Sequence, residues 1–293
     1  MATLRELKGR IGSVASSEKI TGAMKMISSA KMHKAEGALR RLQPYRLTIE
    51  SIIANLLTAD ASFSSPLAEP RTVAKATLVV LGSDDGLCGA YNANLAKFLM
   101  QRIIELRERH GQWLRVTLIP VGRKMAKAVR FLADDLTEIV IPEVNSKSEG
   151  EDVKNFEFSL RDKFLGKQTD LIELVYMHFR SVARQVATAD CLLPLSPDVF
   201  SAEGVKPSAR PYIFEPSAQK IFESVLPMYV LSLIQEVFVE NRASEQAARI
   251  MAMQSANDNA KKLLDQLRLE YNKLRQQSIT TELLDIVGGQ VRD

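Results

Sequence analysis

Residues 250–274 read IMAMQSANDNAKKLLDQLRLEYNKL, and this stretch decides the fold. Ile250, Met253, Asn257, Ala260, Leu264, Leu267, Tyr271 and Leu274 fall at alternating steps of three and four. That spacing lays one apolar seam along a helix, the pattern of a coiled coil, and its single polar member, Asn257, is of the kind that fixes register at some cost in stability. Outward from the seam, no glycine occurs between Gly204 and Gly288 and no proline after Pro227. At 1.5 Å per residue, Met228–Val287 would run roughly 90 Å as one helix, longer than a domain of this size is wide. Such a helix needs a partner along its length.

The chain offers one at its other end. From Ala2 to about Leu57, apolar residues recur at helical spacing: Leu4, Leu7, Ile11 and Val14, then after a change of phase Ile20, Met24 and Ile27, and later Ala38, Leu42, Ile49, Ile52 and Leu56. Gly9, Gly12, Gly22, Gly37 and Pro44 weaken this helix in isolation, so it too requires something to pack on. Between the helices, from Val73 to Ser201, the short apolar runs ATLVVLG, VTLIPVG, TEIVIP, DLIELVYMHF and ADCLLPLS alternate with amphipathic stretches such as NANLAKFLMQRIIELRERHG and KMAKAVRFLADD. Strands alternating with helices imply an α/β layer with a largely parallel sheet. The expected architecture is an antiparallel coiled coil of long N- and C-terminal helices, residues 1–57 and 217–287, with an α/β domain, residues 73–201, inserted between them.

Composition narrows the function classes. Aromatics are only 6% of 293 residues, which suits helices better than stacked sheets. Two cysteines, Cys88 and Cys191, form neither a disulfide framework nor a zinc pattern, which points to a reducing compartment. No charge-free apolar run approaches the roughly 18 residues of a membrane span, and the N-terminus lacks a signal-peptide core. The expectation is a soluble chain, or one held at a membrane through partners. Residues 1–46 carry ten Lys or Arg against three acids, so an acidic partner would feel this end first.

Chemistry is hard to find. LGSDDGLCGAYN, residues 81–92, has the glycines of a βα turn that could meet an anion, but its spacing is neither GxGxxG nor GxxxxGK[ST]. Asp84 and Asp85 would repel a phosphate. Cys88 has no base in the sequence pattern around it, and His33, His110 and His178 are scattered, so a buried structural thiol is the simpler reading. No cofactor or metal site is expected. The basic N-terminal helix, with Lys25, Lys31, Lys34, Arg40 and Arg41, invites a nucleic-acid reading, although no aromatics interleave with the charges.

KITGAMKMISSAKMHKA near the start, GSDDGLCGAYN, YIFEPS, ENRASEQAARIMAMQSANDNA and the terminal YNKLRQQSITTELLDIVGGQ together resemble the gamma-subunit family of the F-type ATP synthases, the central shaft of a rotary enzyme. The terminal I-T-x-E-x-x-[DE]-x-x-x-G is a strong signature of that family, and the matches keep their order over nearly the whole chain. Asp85 and Tyr91 depart from the residues usual there. The resemblance implies a coiled-coil shaft with an α/β foot and no active site of its own. Its partners would be three alpha and three beta subunits, an epsilon subunit and the c-ring, on the cytoplasmic face of a bacterial inner membrane. It implies that Arg275, Gln276, Thr280 and Glu282 meet catch loops of the beta subunits. Met24, Lys25, Lys31 and Arg249 would face the beta subunits' acidic lever, and Tyr212 and Glu215 would lie in the foot near the c-ring. A nucleic-acid-binding coiled coil is the alternative, and no Cys pair suggests thiol regulation.

Overall fold

The computed structural model describes residues 3–58, 64–196 and 214–290, with helical side chains described through Leu57 and Leu284. Helix α1 spans Leu4–Thr58 and the last helix, α5, spans Ala218–Gln290. At 1.5 Å per residue they extend about 80 and 110 Å. They run antiparallel: Arg46 reaches Glu236, Lys25 reaches Gln254, and Asn257 reaches Glu18, so one numbering falls as the other rises.

Each helix absorbs its expected breakers. α1 continues through its glycines and through Pro44, whose carbonyl accepts the Thr48 hydroxyl at 2.8 Å. α5 begins before Pro227 and runs past Gly288. One stretch of α5 is long and apolar enough by composition to cross a membrane, contrary to the sequence expectation. Its apolar character is accounted for by packing, since Phe222, Leu226, Tyr229, Val230, Ile234 and Phe238 are buried in the core.

The α1 seam corrects a second expectation. Its phase does not change: Leu4, Leu7, Ile11 and Val14 are followed at unbroken steps by Glu18, Thr21, Lys25, Ser28, Met32 and Ala35, all partly or fully buried. Of the apolar residues read as a shifted seam, Ala38, Leu42, Ile49 and Leu56 keep the unbroken phase and are partly or fully buried, whereas Ile20 at 62%, Ile27 at 50% and Ile52 are exposed and Met24 is half-buried. Polar groups hold the inner face at this level. Asn257 Nδ2 donates to the Glu18 carbonyl at 2.7 Å and to Thr21 Oγ1 at 3.3 Å, while Lys25 Nζ donates to Gln254 Oε1 at 2.5 Å. Below this polar segment Met32, Ala247 and Ile250 form an apolar cluster, and above it Leu7, Leu264 and Leu267 are buried. A periodicity search weighted by hydrophobicity follows the exposed isoleucines, because the seam here is carried by hydrogen bonds.

The α/β domain holds one sheet of strands β1 (Lys75–Leu81), β2 (Arg115–Val121), β3 (Thr137–Ile139), β4 (Leu171–Ser181) and β5 (Arg184–Leu193), ordered β3-β2-β1-β4-β5. The first four are parallel, as the alternation implied. β5 pairs antiparallel with β4 as a hairpin, and its first half, before ADCLL, lies outside the apolar runs of the sequence. α2 is Tyr91–His110. KMAKAVRFLADD yields only the short α3, Arg123–Ala128, and a 3-10 turn. α4, Glu151–Leu165, has no counterpart among the expected helices, although its first-turn acids Glu151 and Asp152 and its closing Gly166 are ordinary boundary signals.

The pleat divides the strands between two cores. Ala76, Leu78 and Val80 face α2, whose Leu95, Leu99, Ile103 and Leu106 are buried. Val79 and Leu81 face the other side, where Ile49, Ile53 and Leu56 of α1, the first turns of α5, and Val153, Leu160 and Phe164 of α4 converge. The shaft therefore grows out of the domain's core. Its lower turns are core helices, and its upper turns are a two-helix coiled coil. A buried carboxylate, Glu173 on β4, is met bidentately by Arg102 of α2 at 2.6 and 2.8 Å, which anchors α2 across the sheet face.

Candidate functional site

The order of the strands reverses between β1 and β4, and in open α/β sheets the crevice at the carboxyl ends of such strands is where ligands usually bind. Here α5 fills it. Asn241 Nδ2 donates to the carbonyl of Gly82 at the end of β1, at 3.0 Å, and Ser244 Oγ donates to the Met177 carbonyl of β4 at 2.6 Å. The Tyr91 hydroxyl donates to Asn241 Oδ1 at 2.7 Å. The glycine-rich turn is drawn around α5.

The turn's own residues follow from this role. A Cβ at Gly82 would lie 2.4 Å from Met125 Cβ and 2.8 Å from Asn92 Oδ1, so only glycine fits. Gly89 has φ +61°, a left-handed backbone that glycine adopts at little cost. Asp84, read as a repeller of phosphate, is a structural anchor, accepting from Arg123 N, Ser146 N and Ser146 Oγ at 2.8–2.9 Å. Burial works to raise its pKa, but these bonds outweigh burial and hold it below the ordinary value. Asp85 pairs with Lys147 at 2.8 Å. Cys88 is buried with Sγ 3.6 Å from Ser83 Oγ, as expected of a structural thiol. His178 binds Glu240 at 2.6 Å and His33 binds Glu36 at 3.1 Å. Among the described residues no cluster of His, Cys, Asp and Glu could hold a metal.

The residues assigned to the lever level stand differently from one another. Lys31 is exposed, Met24 is half-buried, and Lys25 is tied to Gln254. Arg249 is 4% exposed, and its charge is used inside the chain. Its guanidinium binds Glu245 at 2.6 Å and donates to the carbonyls of Gly86 at 3.0 Å and Asp85 at 3.3 Å. Glu245 is itself buried. Desolvation raises its pKa, and Arg249 opposes that rise. This clasp, with Asn241 and Ser244, joins foot to shaft. Sequence reasoning missed it, although Glu245 and Arg249 stand four apart on a helix, a pairing distance that was there to be read.

At the tip, Arg275, Gln276, Thr280 and Glu282 are all exposed. Their bonds are local: Thr280 Oγ1 donates to the Gln276 carbonyl at 2.9 Å, and Ser278 Oγ to Glu282 at 3.4 Å. Extending the antiparallel register of Lys25 with Gln254 and Glu18 with Asn257 puts Leu4 opposite about residue 273. Beyond it α5 continues alone, with Ile279 49%, Leu283 58% and Leu284 66% exposed. In the foot, Glu215 is exposed just before α5, and Tyr212 lies outside the described residues.

Three comparisons bear on this arrangement. A family model described as ATP synthase matches residues 3–291. The ATP synthase gamma chain of Bacteroides thetaiotaomicron is 38% identical over the whole of both chains. That of Phocaeicola vulgatus is 40% identical over 99% of this chain and all of its own. That of Burkholderia multivorans is 35% identical over 99% of each. Among solved structures, a chain of the Euglena gracilis mitochondrial ATP synthase rotor aligns with a TM-score of 0.63 at 18% identity, covering 94% of this chain and 98% of that one. A chain of the same enzyme's OSCP/F1/c-ring assembly aligns with a TM-score of 0.67 at 20% identity, covering 98% and 93%. At such identities the structures speak for the fold, whereas the sequence relatives speak for descent. This chain belongs to the ATP synthase gamma-chain family.

Proposed function

We propose that the chain is the central rotor shaft of an F-type ATP synthase, coupling proton translocation in a membrane sector to ATP synthesis or hydrolysis in an alpha/beta head, with no active site of its own. The observation that carries this reading is the family match over the full length, on a chain whose α5 projects past its partner helix as a single strut. A lone helix of about 16 residues is marginal in water, and its apolar side chains are bare. Both facts are explained if the tip turns inside a socket of partner subunits. The nucleic-acid alternative has no observation in its favour, and Lys25, one of the cations it needs, is bonded within the shaft, as is Arg46 at the same basic end.

The contacts we assign follow the levels of the shaft. Arg275, Gln276, Thr280 and Glu282 grip the beta subunits' catch loops. Lys31 and Met24 meet the acidic lever, and Arg249 acts there through the loop it holds. Glu215, and with it Tyr212, belongs to the foot that rests on the c-ring beside the epsilon subunit. Solvated ion pairs suit a turning surface, because each contributes only about 0–1 kcal/mol and is easily released. The bacterial gamma-chain relatives support a membrane-associated complex, and we place this one on the cytoplasmic face of the inner membrane. Co-expression of a tagged chain with its alpha and beta subunits tests the reading. Recovery of a stoichiometric hexamer on the tag is the expected result. A hexamer that assembles and hydrolyses ATP while the tagged chain elutes alone would overturn it.

A further inference from the structure

Where α1 leaves the foot, a cleft of ≈460 Å³ opens between α1, α5 and the loop that precedes α4. That is the size of pocket that takes an organic ligand, and nothing in the shaft's packing calls for it. Its floor is apolar: Ala35, Ala38 and Leu42 of α1, Phe238 and Val239 of α5, and Val153 in the first turn of α4. Its rim is charged, and the charges are unevenly satisfied. Each acid at the cleft already has a cation of its own, Asp85 with Lys147, Glu149 with Arg242, and Glu245 with Arg249. Lys31, Lys34 and Arg41 line the same cleft from α1; Lys31 already acts on Asp85 at a distance, and among the described residues no hydrogen bond or close ion pair is made by any of the three.

These three fall on one side of the helix, at spacings of three and seven, so their positive charges reinforce one another over the opening. Opposite them, the Nε of Arg242 is buried without a hydrogen-bond partner. Burial pulls that guanidinium below its ordinary pKa even against the pull of Glu245, although Glu149 pairs with its outer edge. An apolar floor asks for an apolar body, and the α1 cations across from a buried, partnerless Arg242 Nε ask for an anionic group.

We propose that this cleft binds an organic anion, an apolar body of a few rings or an equivalent chain carrying a sulfonate, carboxylate or phosphate, with the anion between the α1 cations and Arg242. A ligand held there would brace α1 against the foot, at the point where shaft and domain part. Lys31 is shared with the lever contact assigned above, so the inference is tested on the isolated full-length chain, through Lys34 and Arg41, where failure of the rotor reading would not affect it.

The probe is 8-anilinonaphthalene-1-sulfonate, with neutral N-phenyl-1-naphthylamine as its uncharged counterpart. Lys34→Glu with Arg41→Glu reverses two exposed rim charges, and Ala38→Phe fills the floor. Lys8→Glu with Arg10→Glu makes the same charge change elsewhere on α1. The expected result is one saturable fluorescent site, weakened roughly tenfold or more by the rim pair and by Ala38→Phe, and unmoved by the Lys8 and Arg10 pair. The neutral dye should not distinguish parent from rim variant. If the sulfonate binds parent and rim variant equally, or if the Lys8 and Arg10 pair weakens it as much, the proposal fails. The rim variants alter only exposed side chains, so the comparison of rim with control pair holds however Ala38→Phe folds.

Discussion

Glu157 lies on the buried face of α4, 1% exposed, and neither of its carboxylate oxygens has a hydrogen-bond partner. Its nearest opposite charge is Arg161, 3.4 Å away. Burial raises its pKa from 4.5 to about 7, with Arg161 lowering it and Asp162 raising it. An acid whose pKa is higher folded than unfolded contributes stability that is fully present below the unfolded value, here near 4.5, and lost as pH rises through the folded value near 7. At about 1.4 kcal/mol per unit, the loss is about 3 kcal/mol at most. Glu157→Gln removes the ionisation while keeping the shape. In urea unfolding followed by circular dichroism, the variant should match the parent at acidic pH and exceed its stability by up to about 3 kcal/mol at mildly alkaline pH. A stability difference that does not change with pH would refute the reasoning, because the carboxylate would then be reaching a partner when charged.

The clasp predicts a larger loss: Arg249→Ala strands a buried Glu245 and frees the Gly86 carbonyl, so unfolding should become easier by about 3–5 kcal/mol. Because the stranded acid escapes by taking a proton, that deficit should shrink as pH falls; a deficit under about 1 kcal/mol at neutral pH would mean the clasp is not structural. Gly82→Ala should cost about 1–3 kcal/mol through overlap with Met125, measured as a fall in Tm, and an unchanged Tm would contradict the close approach. Leu267→Ala, at a seam position 2% exposed, should cost about 2–5 kcal/mol, and a loss within error would place Leu267 outside the seam. Arg275→Ala and Glu282→Ala should leave the isolated chain within about 0.5 kcal/mol of the parent yet reduce ATP-driven proton pumping in the assembled complex; parent-level pumping by both would remove them from the tip contact.

The architecture was legible because two periodicities carry it. The α5 seam from Ile250 to Leu274 repeats at three and four, and the strands alternate with helices. Where the seam is made by hydrogen bonds it could not be read: Glu18, Thr21, Lys25 and Ser28 look like surface residues, and Ile20 and Ile27 look like core. The first half of β5 was blurred for a related reason, since β5 is an edge strand with an irregular burial pattern. The tip and lever-level positions came from family resemblance: Arg275 and Lys31 are exposed, Thr280 and Glu282 make only local bonds, and Lys25 and Arg249 are bonded across the chain to groups that spacing does not point to. The clasp of Asn241, Ser244, Glu245 and Arg249 joins residues more than 60 positions apart to two strand ends. Only the i,i+4 pair within it leaves a local trace.

The most direct test of the central claim is rotation itself. With the alpha/beta hexamer fixed to a surface and a visible probe on the α/β domain, ATP should drive unidirectional, stepwise turning of the probe, slowed or stalled by Arg275→Ala with Glu282→Ala. A hexamer that hydrolyses ATP at its full rate while the probe on the bound chain stays still would contradict the account.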